Sequence, residues 1–572
     1  MYVRTTSRKN KSGQVVRYLQ LAHNEWDAAA HASRTKVLYS FGREDELDRA
    51  AVERLVVSLA RLLDPDRAAA LTTPGDLVYL GARPLGGTHV LDGLWHRLGL
   101  DQVIRRCLKG RRLDPRVERV LFGLVANRVL GAASKLAAAS WMTGSVHIDG
   151  LDGQQVDPQT CYRAMDWLLT IEPDLAKETY FQVTDLLNLD LDLIFFDTTS
   201  TYFETEDADD PIARDENGHP DPGATAPGRV WDDKRDVGFR TYGKSKDSRD
   251  DLPQVVVGMA VTREGIPVRV WCWPGNTGDS DLIRQVKTDL REWSLSRVVW
   301  VADRGFTSAA NRRALMKGGG GYIIGEKLRS GSPEIKAALA RQGRYAIVRD
   351  NMQVKEVNVG TDDRMIICFN PAQAERDAAI RADLVARLEE VIAGSDALDP
   401  VERGKLAGVI STKPGLKRFL RLTPGGLLRV DKKKIAAEEK LDGKYLLRSS
   451  DPKLSAEDIA VGYKQLLEVE RGWRDMKQIL DLRPVYHRTE DRIRAHVLLC
   501  WLGLLLMRVA ENATGQTWPR LRDQLEQISL ATFAGPTGLY RQCSELTKPQ
   551  RDLLTDLGVP APKLITELAA SL

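Results

Sequence analysis

Two short runs of apolar residues, far apart in the chain, each end on an aspartate. The first is LDLIFFD, which ends on Asp197, and the second is RVVWVAD, which ends on Asp303. Both runs are continuous rather than alternating, as expected for strands that are buried on both faces of a sheet. A carboxylate at the carboxyl end of such a strand points into the crevice where α/β sheets bind ligands. We therefore predict an α/β fold with Asp197 and Asp303 in a binding site.

A third acid occurs in a helical segment nearer the carboxyl terminus, YKQLLEVERGWRDMK. Tyr463, Glu470 and Lys477 recur there every seven residues, which places them on one face of a helix. Leu466 and Trp473 lie near that face, so we predict that Glu470 lies on its inner side. A buried or half-buried ion pair is the ordinary explanation for charges on such a face, and a functional site is the alternative.

Three carboxylates that converge on one place repel one another and need a cation. With oxygen ligands alone, and no cysteine or histidine at zinc spacing, the set favours a hard ion, Mg²⁺ or Mn²⁺. Two such ions about 3.5–4 Å apart would activate an attacking oxygen and stabilise a leaving oxygen in phosphoryl transfer. Asp197, Asp303 and Glu470 are thus the predicted catalytic and metal-binding residues.

Composition and charge limit the classes of protein to which the chain can belong. The 572 residues carry 83 basic and 79 acidic side chains, so total charge does not indicate a nucleic-acid binder. Charge is uneven, however, because residues 401–450 contain thirteen basic and five acidic residues. The apolar run HVLLCWLGLLLM is too short to cross a membrane, and the six cysteines are scattered. We expect a cytoplasmic protein with reduced thiols and no membrane partner.

Five separated blocks resemble one family of enzymes. In chain order they are YGKSKDSRDDLPQVVVG, PGNTGDSD, VADRGF, YKQLLEVERGWRDMK and PVYHRTEDRIRAHVLLCWLGLLL. Together with the order strand–Asp, hairpin, strand–Asp, helix–Glu, they resemble the DDE transposases of bacterial insertion sequences, in the insertion-sequence-four-like group. The likeness covers roughly residues 192–509. Tyr463, Glu470 and Lys477 fall on that group's Tyr-Arg-Glu-Lys signature, while Leu466 stands at the position of its arginine.

The resemblance implies a ribonuclease-H-like mixed sheet flanked by helices, interrupted by a mostly β insertion domain and preceded by an α-rich N-terminal region. We predict six segments: an N-terminal α+β region at 1–82, a helical domain that binds DNA ends at 83–182, the first part of the catalytic core at 183–330, a β-rich insertion with the basic stretch at 331–452, the second part of the core at 453–515, and a C-terminal helical region at 516–572. The acidic segment 204–229 is predicted to be an exposed loop.

The resemblance also implies an activity of the cut-and-paste type. A water would attack the phosphodiester at the end of an insertion sequence and release a 3′-hydroxyl, which would then attack target DNA in the same site. The implied partners are two Mg²⁺ or Mn²⁺ ions, double-stranded DNA (terminal inverted repeats and target) and a second copy of the chain. The alternatives are a ribonuclease-H-like nuclease that cuts without joining, and an inactive DNA-binding derivative.

Further residues are expected to contact DNA. Tyr463 and Lys477 would bind phosphate groups near the cleaved bond. The basic stretch offers a sequence-independent phosphate surface, formed by Lys417, Arg418, Arg421, Lys432, Lys433 and Lys434. In relatives a tryptophan of the insertion can stack on a flipped base, but no tryptophan lies between Trp300 and Trp473. Stacking would then use another aromatic residue, from the set Tyr322, Tyr345, Phe369, Phe419 and Tyr445.

Overall fold

The computed structural model describes residues 1–9, 15–27, 32–63, 77–151, 154–187, 193–215, 217–221, 236–291, 293, 298–329, 331–535 and 538–569. The chain folds into two compact units. The smaller comprises Met1–His89, Asp523–Thr555 and Pro560–Leu572, and the larger comprises Val90–Arg522 and Asp556–Val559. Much of the predicted acidic loop, at positions 216 and 222–229, lies outside the described residues.

The smaller unit contains two antiparallel sheets. The first is built from β1 (Tyr2–Lys9), β2 (Val15–Asp27) and β3 (Ala32–Arg43), and helix α1 (Arg49–Leu63) follows it. The second has the order β20-β19-β18-β4, with β4 (Val78–Pro84), β18 (Ser529–Gly535), β19 (Gly538–Cys543) and β20 (Ile565–Ala569). The strands and the helix predicted in the first eighty residues are therefore confirmed.

A helical region leads into the larger unit, as predicted for residues 83–182. Its helices are α2 (Gly86–Arg97), α3 (Leu100–Leu108), α4 (Val117–Gly131), α5 (Lys135–Ser140), α6 (Pro158–Thr170) and α7 (Glu172–Leu187). Helix α4 is buried on almost every side from Val117 to Val129. Its apolar residues therefore help to form the core of the larger unit.

A nine-stranded mixed sheet forms the centre of the larger unit, in the order β12-β13-β14-β17-β11-β10-β5-β8-β9. Five of its strands form the catalytic core predicted from the sequence: β5 (Leu193–Tyr202), β8 (Gln254–Val261), β9 (Pro267–Pro274), β10 (Val299–Ala302) and β11 (Gly321–Glu326). Strands β5, β8 and β9 pair antiparallel, while β10 pairs parallel with both β5 and β11. This arrangement confirms the ribonuclease-H-like mixed sheet. A two-stranded sheet of β6 (Ile212–Ala213) and β7 (Asp236–Val237) lies outside it.

The insertion at 331–452 is more helical than the mostly β domain that we predicted. Four strands extend the core sheet: β12 (Ala346–Arg349), β13 (Met352–Val357), β14 (Arg364–Phe369) and β17 (Lys444–Ser449). A hairpin joins β15 (Leu420–Leu422) to β16 (Leu428–Val430). The rest is helical, with α10 (Pro333–Ala340), α11 (Pro371–Ile392), α12 (Pro400–Ser411), α13 (Pro414–Lys417) and α14 (Lys432–Glu439).

Local sequence explains this correction. Helices α11 and α12 each begin with a proline that follows a capping side chain, Asn370 and Asp399 respectively. Proline at the first helical position and Asn or Asp before it are strong helix-start signals. The 22 residues of α11 are then rich in alanine, leucine, arginine and glutamate, which favour helix.

The remaining helices flank the sheet. They are α8 (Asp279–Arg291), α9 (Ala309–Met316), α15 (Ala456–Lys464), α16 (Leu467–Gln478) and α17 (Glu490–Thr514). In the chain, α18 (Trp518–Leu525) and α19 (Lys548–Asp556) follow, and α19 belongs mostly to the smaller unit. Helix α17 is apolar and long enough to cross a membrane by composition, but almost all of it is buried inside the protein. It contacts α4, α6 and β9 and so serves as a core helix.

Candidate active site

Strand register brings Asp197 and Asp303 side by side. In the parallel pair of β5 and β10, Phe196 is the partner of Ala302, and each aspartate is the next residue along its strand direction. Neighbours in register point to the same face of a sheet. Asp303 follows β10 as predicted and precedes a short 3-10 helix. Asp197, in contrast, does not end its strand, because β5 continues to Tyr202 through pairing with β8.

The carboxyl group of Asp197 is largely removed from solvent, with one ammonium group and two other carboxylates nearby. Burial raises the pKa of Asp197 to about 6, the carboxylates of Asp279 and Asp303 add to the shift, and the Lys246 ammonium opposes it. A carboxylate whose ionised form is disfavoured in this way would gain from a bound cation. The donor set is therefore chemically suited to a hard divalent ion.

Lys246 and Asp279 complete this side of the site, although the sequence analysis assigned a role to neither. The Lys246 Nζ donates to the Thr198 carbonyl oxygen at 2.7 Å and lies 3.3 Å from Asp279 Oδ2 and 3.8 Å from Asp197 Oδ1. The Thr198 hydroxyl donates to Asp279 Oδ1 at 2.7 Å. The signal that could have found both residues is their position within two of the family-like blocks, YGKSKDSRDDLPQVVVG and PGNTGDSD.

Tyr463, at the end of α15, contacts Asp303. Its hydroxyl donates a hydrogen bond to Asp303 Oδ1 at 3.0 Å. Burial, together with the charge of Asp303, raises the pKa of Tyr463 well above its usual value. The ring stacks on Tyr445, with centroids 6.0 Å apart, and a Cβ at Gly325 would collide with the phenol oxygen. Gly325 thus leaves the space in which Tyr463 reaches Asp303.

Glu470 lies on an exposed side of α16, not on the inner face that we predicted. The chain leaves one helix at Lys464 and begins the next at Leu467, so the expected single helix is two. The buried stripe of α16 runs through Val469, Trp473 and Met476, and Glu470 lies about 100° around the helix from Val469. The break therefore turns the carboxylate outward.

No metal-binding cluster is preassembled around Glu470. In the part of the chain that the structure describes, the Glu470 side chain makes no hydrogen bond or ion pair, and no three Asp, Glu, His or Cys side chains come close enough to hold a metal. Asp197 and Asp303 are brought together, and Glu470 is not brought to them. Leu466, at the signature arginine position, is buried at 8% exposure and offers no charge.

Lys477 forms a buried ion pair. Its ammonium donates to Thr199 Oγ1 at 2.8 Å and to the two Asp247 carboxylate oxygens at 2.9 and 3.0 Å. Only 10% of its side chain is exposed, and burial lowers its pKa despite the opposing effect of Asp247. Arg483 lies 2.6 Å from the same carboxylate. Lys477 is therefore half of a buried ion pair in this structure, which is the ordinary explanation for charge on this helical face. A contact between Lys477 and DNA stays a prediction.

A cavity of about 340 Å³ opens beside Asp303 and extends toward the insertion. Tyr463 and Tyr445 line its inner end, and Arg418 lines the outer end with other residues of the insertion. Arg304 also borders it with an exposed side chain that has no carboxylate within ion-pair distance among the described residues. The cavity therefore joins the second aspartate to an aromatic wall and to an unpaired cation.

The aromatic residues proposed for base stacking differ in their access to this cavity. Tyr322 is fully buried and Tyr345 packs against Phe369, away from Asp303. Phe419 lines the cavity but is itself 1% exposed within the apolar core of the insertion. Tyr445 lines the cavity and stacks on Tyr463, whose hydroxyl contacts Asp303, so its ring is connected to the candidate site through one neighbour.

The basic stretch lies on the surface of the insertion. All six of its predicted residues are exposed: Lys417, Arg418, Arg421, Lys432, Lys433 and Lys434. Arg418 lies 3.4 Å from Glu438, and Lys434 lies 3.9 Å from Asp431, a distance at which the pairing is weak. The stretch therefore presents positive charge to solvent, as a phosphate-binding surface requires.

Comparisons with known proteins identify two regions of the chain. The family model of the transposase DDE domain matches residues 232–507, and the model of the IS1634 family transposase N-terminal domain matches residues 3–69. No curated protein matches the chain. Among solved structures, the cryo-EM structure of the piggyBac transposase synaptic complex with hairpin DNA has 11% sequence identity and a TM-score of 0.36, covering 84% of this chain and 88% of that one. The two matches give the chain a transposase DDE domain and an IS1634 family transposase N-terminal domain, which together support a DDE transposase of a bacterial insertion sequence.

Proposed function

We propose that Asp197, Asp303 and Glu470 bind two divalent ions, Mg²⁺ or Mn²⁺, and that this site cuts and joins DNA. The DDE domain implies a divalent metal cofactor. The observation that carries the assignment is the register of β5 and β10, which puts two carboxylates side by side, one of them in a position where burial disfavours its ionised form. Glu470 completes the set by its place in the signature and by its unpaired, exposed carboxylate.

The bound ions would supply Lewis-acid activation of the attacking oxygen and charge stabilisation of the leaving oxygen. The chain's own residues supply position. Tyr463 fixes the orientation of Asp303 through its hydroxyl, and Lys246 fixes Thr198 and Asp279 beside Asp197. In phosphoryl transfer, positioning and charge stabilisation provide nearly all of the catalysis, so these contacts matter although none of them is covalent chemistry.

The same residues serve two successive displacements at phosphorus. In the first, a water oxygen bonds to phosphorus while the 3′ oxygen at the end of the insertion sequence leaves and takes up a proton. In the second, that 3′-hydroxyl loses its proton and bonds to a phosphorus of target DNA, while the target's own 3′ oxygen leaves. Both steps break one phosphorus–oxygen bond and form one, so a single site with two ions suits both.

The DNA partners we propose are terminal inverted repeats and target DNA. Arg304 is the cation that compensates for Leu466, because its side chain is exposed beside Asp303 and unpaired within the described residues. The basic stretch would bind phosphates farther along the duplex. A base unpaired near the cleaved bond would stack on Tyr445 in the adjoining cavity. Tyr463 and Lys477 remain proposed phosphate contacts. To bind phosphate, Tyr463 must first break its hydrogen bond to Asp303, and Lys477 must break its ion pair with Asp247.

The assembly we propose is a homodimer that acts in the cytoplasm. An insertion sequence has two ends to cut, and each chain contributes one set of the three acids. All six cysteines are free thiols, which suits a reducing compartment. The mass of the protein bound to two end duplexes, measured by light scattering, tests this assembly.

Cleavage and joining by purified protein test the activity. We expect the wild-type protein with Mg²⁺ or Mn²⁺ to nick a labelled duplex taken from the DNA that flanks the gene, and to join the new 3′ end to a plasmid. Asp303→Ala should do neither. Asp362→Ala, which removes an exposed acid of the insertion, is the matched control and should retain both activities. Equal cutting by Asp303→Ala would refute the assigned site, and cutting without joining would favour a nuclease.

A further inference from the structure

The first sheet of the smaller unit has two unlike faces. Strands β1 and β2 pair so that Arg4 is the partner of Gln20, Thr6 of Tyr18 and Arg8 of Val16. Because side chains alternate along a strand, one face carries Tyr2, Arg4, Thr6, Arg8, Tyr18 and Gln20, which we call the polar face, although Val16, Val37 and the buried Ala22 lie on the same side. Asn24 lies on the same face, where it accepts hydrogen bonds from Tyr2 on β1 and Thr35 on β3.

The opposite face is mixed in composition, and its apolar residues face helix α1. Leu21 and Tyr39, which are partners in the β2–β3 register, line a cavity of about 490 Å³ together with Leu47, Val52 and Leu55 at or near α1. Basic residues on that face are paired, since Arg17 lies 3.7 Å from Glu44 and Lys36 lies 3.2 Å from Glu25. The sheet therefore has one face for packing and one without a covering helix among the described residues.

The two arginines of the polar face have no acidic partner. Arg4 and Arg8 have exposed side chains and form no ion pair with any described residue. None of the polar-face positions on the three strands is an acid. Four residues of extended strand separate the two arginines by about 13 Å, close to the roughly 12 Å width of the DNA major groove. Their guanidinium groups could therefore reach phosphates on both edges of one groove.

Thr6, Gln20 and Tyr18 lie between the two arginines and are half-buried. Threonine and glutamine side chains can donate to and accept from base edges, which is the chemistry of sequence readout in the major groove. Two-stranded ribbons are narrow enough to enter that groove, and some DNA-binding proteins read it with strands.

We propose that the polar face binds duplex DNA in the major groove, with Arg4 and Arg8 on phosphates and Thr6 and Gln20 on base edges. This inference rests on the proposed function, because a transposase must locate the ends that it cuts. It adds a recognition element outside residues 83–182, where the sequence analysis placed end binding.

Charge-matched variants of the full-length protein test the proposal. R4Q/R8Q removes two positive charges from the polar face, and R17Q/K36Q removes two from the opposite face of the same sheet. We expect R4Q/R8Q to bind a mixed-sequence duplex about ten-fold more weakly, and the slope of log affinity against log salt to fall by about 2. R17Q/K36Q should match the wild type, and R4K/R8K should retain most of the slope. Circular dichroism should show the same melting temperature for all variants.

Gln20→Ala separates base reading from phosphate binding. This variant should keep its affinity for mixed-sequence duplex but lose about five- to one-hundred-fold of its preference for the duplex that flanks the gene. Equal preference in the wild type and the variant would overturn the assignment of Gln20 to a base edge.

A second pair of arginines provides the competing outcome. Arg111 and Arg112 are exposed in the loop after α3, within residues 83–182. If R111Q/R112Q weakens binding and R4Q/R8Q does not, the polar face is not a DNA-binding surface and end binding belongs to 83–182. The proposed function fails by a different result, namely cutting by Asp303→Ala, so the two ideas can fail independently.

Discussion

The two halves of the proposed catalytic site are held by different kinds of structure. Asp197 and Asp303 are carried by adjacent strands, and hydrogen-bonded register sets the distance between them. Glu470 is carried by a helix that begins after a break at Gln465–Leu466, and its carboxylate is exposed and unpaired among the described residues. The sheet fixes the position of Asp197 and Asp303, whereas the position of Glu470 depends on the orientation of helix α16.

This difference suggests an order of assembly. The sheet fixes a pair of adjacent carboxylates, and burial raises the pKa of Asp197, so a bound cation would stabilise the ionised pair and the pair offers a ready place for a first cation. Glu470, which is carried by a helix and has no side-chain partner among the described residues, can coordinate the cation after the two aspartates have bound it.

Neutral isosteres of the three acids should differ in metal binding although all of them stop cleavage. Asp197→Asn and Asp303→Asn should abolish Mn²⁺ binding measured by titration calorimetry, because each removes half of the fixed pair. Glu470→Gln should leave a weaker but measurable binding event. If Glu470→Gln abolishes Mn²⁺ binding as completely as Asp303→Asn, the site is assembled as a unit and the distinction is wrong.

Tyr463→Phe should slow cleavage by about 10- to 100-fold, the usual cost of losing a partner that orients a metal ligand. The phenol oxygen holds Asp303, so the loss should appear in the rate at saturating DNA and in Mn²⁺ affinity. Tyr486→Phe, which alters a tyrosine that is 78% exposed, is the control. A change in DNA affinity alone would instead identify Tyr463 as a phosphate contact, as the sequence predicted.

Gly325→Ala should slow cleavage by about ten-fold, because a methyl group there displaces the Tyr463 phenol and with it the orientation of Asp303. Its effect should shrink when it is combined with Tyr463→Phe, since the two changes act on one contact. Gly404→Ala, in a helix with open space around the new methyl group, should have no such effect. Full additivity of the two changes would show that Gly325 does not act through Tyr463.

Lys477→Met should lower the free energy of unfolding by about 1–3 kcal/mol with a small effect on cleavage. The change leaves Asp247 buried, but Arg483 remains to neutralise it, so the cost falls below that of an isolated buried charge. Urea denaturation measures this loss, and the exposed Lys432→Met is the control. Unchanged stability with a smaller salt dependence of DNA binding would mean that Lys477 contacts DNA instead.

The strand-borne half of the site could be predicted from local sequence. A continuous apolar run that ends on an acid is a short-range pattern, and both runs proved to be buried strands of one sheet. The family-like blocks then indicated the order of elements around them. Even here the extent of β5 was missed, because its last five residues, TTSTY, are buried by pairing with β8 and not by their own apolarity.

The helix-borne half could not be predicted in the same way. The seven-residue spacing of Tyr463, Glu470 and Lys477 assumes one unbroken helix, and packing interrupts it. The partner of Lys477, Asp247, lies 230 residues earlier in the chain, so no periodicity could reveal the pair. Glu470 was placed on an inner face for the same reason.

The strand pairing around the insertion has a consequence for the length of the chain. Glu326 at the end of β11 and Leu446 in β17, the last strand of the insertion, are partners in an antiparallel register, so the chain enters the insertion and approaches its end about one strand spacing apart, roughly 5 Å. A segment whose two ends meet can be lengthened, shortened or exchanged without pulling the core open. Whole insertion domains could therefore be exchanged between Asp303 and Glu470 while strands β5 and β10 keep their register.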